Sequence, residues 1–237
     1  MLRSALTDAE RHHHVALNAA KLSNSIRVPH QRPKVLTPDE ARAVVAALPD
    51  PGLRRMATVS VNCGLRQGEL LALTWGSVNW ETRELHVSQS LQRVDKEYRL
   101  AEVKSSTSQR TLPLTAAAME ALAQERRAQL EARLLAGGKW REPIAGLCFT
   151  SPTGQPRSGS VVTHAFVAAL AKAGLPSLRW HDLRVAFGGL LLASGVDLAV
   201  ISRLLGHSGI AITARTYAGV GPSLERDAAD RLERALS

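Results

Sequence analysis

Between Leu178 and Gly219 lie His181, Arg184, His207 and Tyr217. Arginine presents a planar, charged fork of donors that matches phosphate. A tyrosine hydroxyl can attack phosphorus and form a covalent intermediate. Its ordinary pKa near 10 leaves only about 0.1% ionised at pH 7. It therefore needs a proton acceptor, and histidine suits that role. Together the four are what a phosphoryl-transfer site without a metal requires. Singly each has a plainer reading: a surface histidine, a solvated arginine, a packing tyrosine. The functional reading rests on the set and on the elements that position it.

His181 and Arg184 are three residues apart, which places both on one face of a helix. Leu183, Phe187, Leu190 and Leu191 recur at three- and four-residue steps and predict that helix. A second helix is expected over about 198–205. Gly206 is suited to end it, because glycine takes the left-handed conformation without penalty. His207 then falls in the turn just past a helix end. Upstream, in NCGLRQGELLALTW, a helix stops at Gly64 and another starts near Gln67, with Arg66 between them. An arginine there adds its charge to the free N–H groups of a helix start and makes an anion site. Glu69, three residues on, either orients Arg66 or supports the first turn. Segments 84–90, 98–103 and 110–114 alternate apolar and polar residues and read as a three-stranded antiparallel sheet. Lys104 falls at the turn between the second and third strands. It either reaches into a neighbouring groove or is an ordinary exposed lysine.

Residues 1–20 read as one helix, with a partial stripe of Leu2, Leu6 and Ala9 and a surface run of His12, His13 and His14. Residues 21–36 read as a basic linker, with Pro29 and Pro33 disfavouring helix. Thr37-Pro38-Asp39-Glu40 has the pattern of a helix start: a capping residue, proline at the first position and glutamate at the third. A long amphipathic helix is expected over 115–136, another over 159–173, and a last one over 222–236 whose leucines call for a docking surface.

The balance of charge narrows the function classes. The chain has 30 Lys and Arg against 21 Asp and Glu, a formal charge of +9. A domain this basic points to nucleic acid or another polyanion. Cys63 and Cys148 have no metal-ligand spacing and form no disulfide framework. They suit a reducing compartment. No segment has the 18 or so apolar residues of a membrane span. The first residues lack the apolar stretch of a secretory signal.

Four separated motifs carry a resemblance: GLRQGELLALTW (64–75), KSSTSQRTLPL (104–114), HDLR (181–184) and LLGHSGIAITARTYAGV (204–220). In order and spacing they resemble the catalytic domain of the tyrosine recombinases, the phage-integrase family, over about residues 36–220. The resemblance implies an α+β, mainly α-helical fold with a small three-stranded antiparallel sheet. It implies a catalytic domain at 37–221 and a C-terminal helix at 222–237 that docks on a neighbouring protomer or packs in cis. Residues 1–20 would be the last helix of an N-terminal core-binding domain, making the chain a fragment or a naturally short member.

The same resemblance implies roles. Tyr217 would be the nucleophile, and Arg66 and Arg184 would hold the scissile phosphate. Lys104 would protonate the leaving 5′ oxygen, His181 would act as general base, and His207 would hydrogen-bond the phosphate. Glu69 would support Arg66. The expected activity is site-specific DNA cleavage and rejoining through a 3′-phosphotyrosine link, with no metal, ATP or other cofactor. The partners would be double-stranded DNA and three further copies, the free protein being a monomer or weak oligomer. The expected location is the bacterial cytoplasm, at the nucleoid. Two alternatives stand beside this: a non-catalytic DNA-binding remnant, and a type IB topoisomerase-like relaxase. Val185 and Ala186 depart from the family, which commonly has histidine and then threonine or serine there. Altered packing is expected from them more than lost chemistry.

Overall fold

Local capping chemistry sets most of the helix boundaries. Thr37 accepts from the Glu40 amide at 3.2 Å while the Glu40 carboxylate accepts from the Thr37 amide at 2.9 Å, which starts helix α3 at Pro38–Ala46. Asp50 caps α4, Pro51–Cys63, which ends at Gly64 with φ 60°. Arg66 leads into the short α5, Gln67–Leu71. Thr115 caps α6, Ala116–Ala136, and α7 follows at Gly159–Lys172. The last helices are α8, Trp180–Ala193; α9, Leu198–Leu205, ended by left-handed Gly206; and α10, Ile210–Tyr217. The computed structural model describes residues 2–22, 35–103, 108–217, 230, 232–234 and 236. Lys104 and most of the expected linker and final helix therefore lie outside the described residues.

The chain divides into two units, 1–32 and 33–237. In the first, the single helix expected over 1–20 is two helices, α1 at Leu2–Arg11 and α2 at Ala19–Leu22. The break has local causes. His13 takes a positive φ of 58°. The Asn18 side chain then turns the chain back, donating to the Arg3 carbonyl and the Thr7 hydroxyl and accepting from the Ala20 amide.

In the second unit α4 is central: α3, α5, α6 and α8 pack around it. The core gathers Leu48, Met56, Leu70, Leu85, Leu122, Phe149, Phe166 and Leu183, all fully buried. Each such side chain contributes about 1.5–3 kcal/mol by leaving water. A smaller cluster of Val185, Leu192, Ile201, Leu205 and Tyr217 joins α8, α9 and α10.

A three-stranded antiparallel sheet is present, but its membership differs from the expected one. It runs β1 (Val78–Asn79), β2 (Glu84–Val87), β5 (Arg110–Pro113). The segment expected as its middle strand, β4 (Glu97–Glu102), pairs instead with β3 (Gln89–Val94) in a separate hairpin. Asp95 and Lys96, with φ of 50° and 71°, form the two-residue turn that closes it. The fold is thus α+β and mainly helical, with small antiparallel sheets. Among the described residues no helix is long and apolar enough to cross a membrane.

Candidate active site

The site forms where α4, α8 and α9 end or begin near one another. Gly64 ends α4 in a conformation that favours glycine, and a Cβ there would also strike the Phe187 ring. The Gly64 carbonyl accepts from Arg184 Nη1 at 2.6 Å, and the Leu205 carbonyl accepts from Arg184 Nη2. Arg184 is buried, and it bridges the ends of two helices. Burial first, and then Arg66, lower its pKa to about 9, so it stays charged at neutral pH.

Arg66 lies closer to solvent. Its Nη1 donates to Glu69 Oε1 at 2.6 Å and its Nη2 to the Gly206 carbonyl at 2.9 Å. Glu69 is fully buried and accepts from Arg110 Nη2 on its other oxygen at 2.8 Å. Arg184 Nη1 stands 4.0 Å from that same oxygen. Burial would raise the Glu69 pKa, but Arg110 and then Arg66 overcome it and hold the carboxyl below its ordinary range. Glu69 is thus ion-paired with the Arg66 guanidinium, and it also caps the helix start by accepting from the Arg66 amide at 3.0 Å.

Thr213 on α10 lies 2.8 Å from His207 Nδ1. Burial, then Arg184, Arg66 and Arg110, lower the His207 pKa to about 4, so the ring is neutral at pH 7. His181, at the start of α8, reaches solvent. Its pKa is also lowered, by partial desolvation and then by Arg184. A bound phosphodiester would bring negative charge and raise both.

Tyr217 ends α10 with its ring buried in the smaller apolar cluster. Its hydroxyl lies against Gly188 of α8, where any Cβ would overlap it. Burial pushes its pKa up to about 12, and Arg184 opposes the shift. At pH 7 that leaves about 1 in 10⁵ ionised, so attack by this oxygen needs a proton acceptor. Val185 and Ala186, the two departures, are both buried apolar residues, and Val185 packs in the same cluster as Tyr217.

The structure thus joins Arg66, Glu69 and Arg184 by hydrogen bonds and ion pairs, and His207 follows directly on Gly206, whose carbonyl Arg66 holds. His181 and Tyr217 lie within electrostatic reach of Arg184. Lys104 lies outside the described residues. Three guanidinium groups meet one carboxylate, an excess of two positive charges. Beside Arg66 and Glu69 an open cleft of about 320 Å³ is lined by Ser90, Gln92 and Glu102 of the β3–β4 hairpin. Among the described residues no three of His, Cys, Asp and Glu gather as a metal set.

Comparison with known proteins decides the family. The model of the phage integrase family matches residues 34–222. The chain belongs to that family. This integrase-family chain is 31% identical over 204 residues to a XerC-like tyrosine recombinase of Caldanaerobacter subterraneus subsp. tengcongensis, covering 82% of this chain and 52% of that one. It is 37% identical over 201 residues to an integrase of Streptomyces ambofaciens, covering 80% and 50%. The integrase-family chain thus spans about half the length of these curated relatives. Among solved structures it is similar to the Tn1549 transposon integrase in complex with transposon right end DNA. There the TM-score is 0.76 at 20% identity, covering 98% of this chain and 76% of that one. It is also similar to XerA recombinase, with a TM-score of 0.66 at 22% identity, covering 89% and 67%. At these identities the likeness concerns the fold.

Three residues of the site escape the sequence reading. Arg110 has a signal: it is in phase with Leu112 on the inward face of a strand, where a charge must have a buried partner. Gly188 is half of a glycine pair inside a helix, which is costly unless something approaches closely. Thr213 has no signal apart from the fold.

Proposed function

We propose that this chain is a site-specific DNA strand transferase working through a 3′-phosphotyrosine intermediate. The observation that carries the reading is the excess of positive charge of Arg66, Arg110 and Arg184 over Glu69, with Tyr217 within electrostatic reach of Arg184. An uncompensated cluster of this kind calls for an anion, and the overall +9 charge fits a DNA backbone.

In this reading Arg66 and Arg184 grip the non-bridging oxygens of the scissile phosphate. His207, neutral and accepting from the Thr213 hydroxyl at Nδ1, donates its one N–H, on Nε2, to the same phosphate. The Tyr217 oxygen attacks phosphorus and its proton passes to His181. The bond to the 5′ oxygen breaks, and Lys104 supplies the proton that this oxygen takes. A 5′ hydroxyl from a partner strand then attacks the phosphotyrosine and reverses the steps. One phosphoester replaces another of similar energy, so ATP is not needed. The arginines, lysine and histidines supply the charge stabilisation that metal ions give elsewhere, about 10²–10³ in rate for each lost donor. The likeness to recombinases solved with DNA supports double-stranded DNA as substrate. Four protomers would assemble on it, with residues 37–221 as the catalytic domain, 1–20 ending a core-binding domain, 21–36 as basic linker and 222–237 docking between copies.

The test is a nicked suicide duplex, drawn from a pool of sequences flanking the gene, from which a released fragment prevents rejoining. Wild type should give a protein–DNA adduct on denaturing gels and Tyr217→Phe none. Equal adduct from both, or none from either despite DNA binding, rejects the reading. Relaxation of supercoiled plasmid by monomers without a defined site would favour the topoisomerase alternative instead.

A further inference from the structure

The last carbonyls of a helix have no partner within it. At the end of α9 three consecutive carbonyls are taken by three different arginines. Arg110 Nε donates to Leu204 at 2.7 Å, Arg184 Nη2 to Leu205, and Arg66 Nη2 to Gly206 at 2.9 Å. The arginines come from β5, α8 and the start of α5. Their charge also complements the negative end of the α9 dipole. The next residue in the chain is His207, so the placement of this helix end is the placement of that ring.

Two of the three arginines belong to the phosphate grip. Arg110 is different. Its side chain is 5% exposed, and it donates in three directions within the protein: to the Leu204 carbonyl, to the Ser108 carbonyl at 3.0 Å and to Glu69 Oε2 at 2.8 Å. The Glu69 bond has a further consequence. Arg184 Nη1 stands 4.0 Å from the same oxygen. With Arg110 gone, that oxygen keeps only the Arg66 amide as a donor, and its charge would draw Arg184 away from the Gly64 carbonyl and out of line with the phosphate.

We propose that Arg110 is a positioning residue for strand transfer, fixing the end of α9 and the Glu69 carboxylate so that His207, Arg66 and Arg184 keep one geometry. The proposal rests on the strand-transferase reading. Lysine cannot substitute, because a single ammonium at the end of a flexible stem cannot serve three acceptors in the fixed directions of a guanidinium. A misplacement of about 1 Å at a reacting centre costs about 10²-fold in rate.

The test compares the full chain with Arg110→Lys and Arg110→Gln on the suicide duplex. Three quantities are read: affinity for uncut duplex, maximal rate of adduct formation under single turnover, and thermal melting. Arg110→Lys should melt as a folded protein and bind duplex within about twofold of wild type, yet form adduct about 10²-fold more slowly at saturation. Arg110→Gln, if folded, should be at least as slow. An unchanged saturating rate in folded Arg110→Lys overturns the proposal. So does a loss confined to affinity, because it would make Arg110 a structural residue only. If wild type itself forms no adduct, the strand-transferase reading fails and the positioning role falls with it, a result distinct from active wild type with equally active variants.

Discussion

Gly188→Ala probes where the Tyr217 ring sits. A Cβ at this position overlaps the Tyr217 hydroxyl and closes to 2.5 Å on Cζ and 2.9 Å on Cε2. Two effects oppose each other. Alanine in a helix interior is favoured over glycine by about 0.8–1.0 kcal/mol. Overpacking a filled site costs about 1–3 kcal/mol. The net effect in the wild-type background should lie between neutral and a loss of about 2 kcal/mol. Removing the ring separates the two. In a Tyr217→Ala background only the helix preference remains, so Gly188→Ala should stabilise by about 1 kcal/mol. The coupling energy between the two positions should therefore be about 1–3 kcal/mol, in the range for residues in contact. Urea unfolding of the four proteins measures it. If Gly188→Ala stabilises both backgrounds alike, within about 0.3 kcal/mol, the tyrosine does not pack on this glycine.

Other consequences follow from the buried charges. Glu69→Gln keeps the shape but leaves Arg66, Arg110 and Arg184 without their carboxylate; it should cost about 3–5 kcal/mol in denaturant unfolding. Because the folded Glu69 pKa lies below its unfolded value, its contribution is present above about pH 4.5 and is lost as pH falls further. His207 acts in a higher window. Its folded pKa of about 4 lies below the ordinary histidine value of 6.5, so the unfolded chain binds the proton first, and stability should fall as pH drops from about 6.5 to about 4. The gap converts to at most about 3 kcal/mol, reduced to about 1–2 at a ring that solvent partly reaches. His207→Asn should flatten the unfolding profile in that window, and an unchanged slope would remove the ring as its cause.

What could be read from the sequence was local. The Thr37–Glu40 cap and the glycine stops at Gly64 and Gly206 depend on a few adjacent residues, and each lies where it was expected. Strand partners are not local. Alternation marks a strand without naming its neighbour, so it does not tell that β4 pairs with β3; the left-handed pair Asp95–Lys96 closes that hairpin. The break in the first helix depends on the Asn18 side chain reaching back to Arg3. Of the residues proposed for the site, Arg66, Arg184, His181, His207 and Tyr217 stand out by type and motif. How they are held could not. Arg110 bonds to a carbonyl 94 residues away, and Gly188 matters only because α10 returns over α8.

The most direct measurement is to identify the protein–DNA linkage itself. Wild type would be trapped on the suicide duplex, digested with protease, and the DNA-bound peptide sequenced by mass spectrometry, with the free DNA end typed by phosphorylation. The account predicts a peptide modified at Tyr217, joined to a 3′ phosphate, with a 5′ hydroxyl on the released strand. A link to any other residue, or a 5′ phosphate link with a free 3′ hydroxyl, would contradict it.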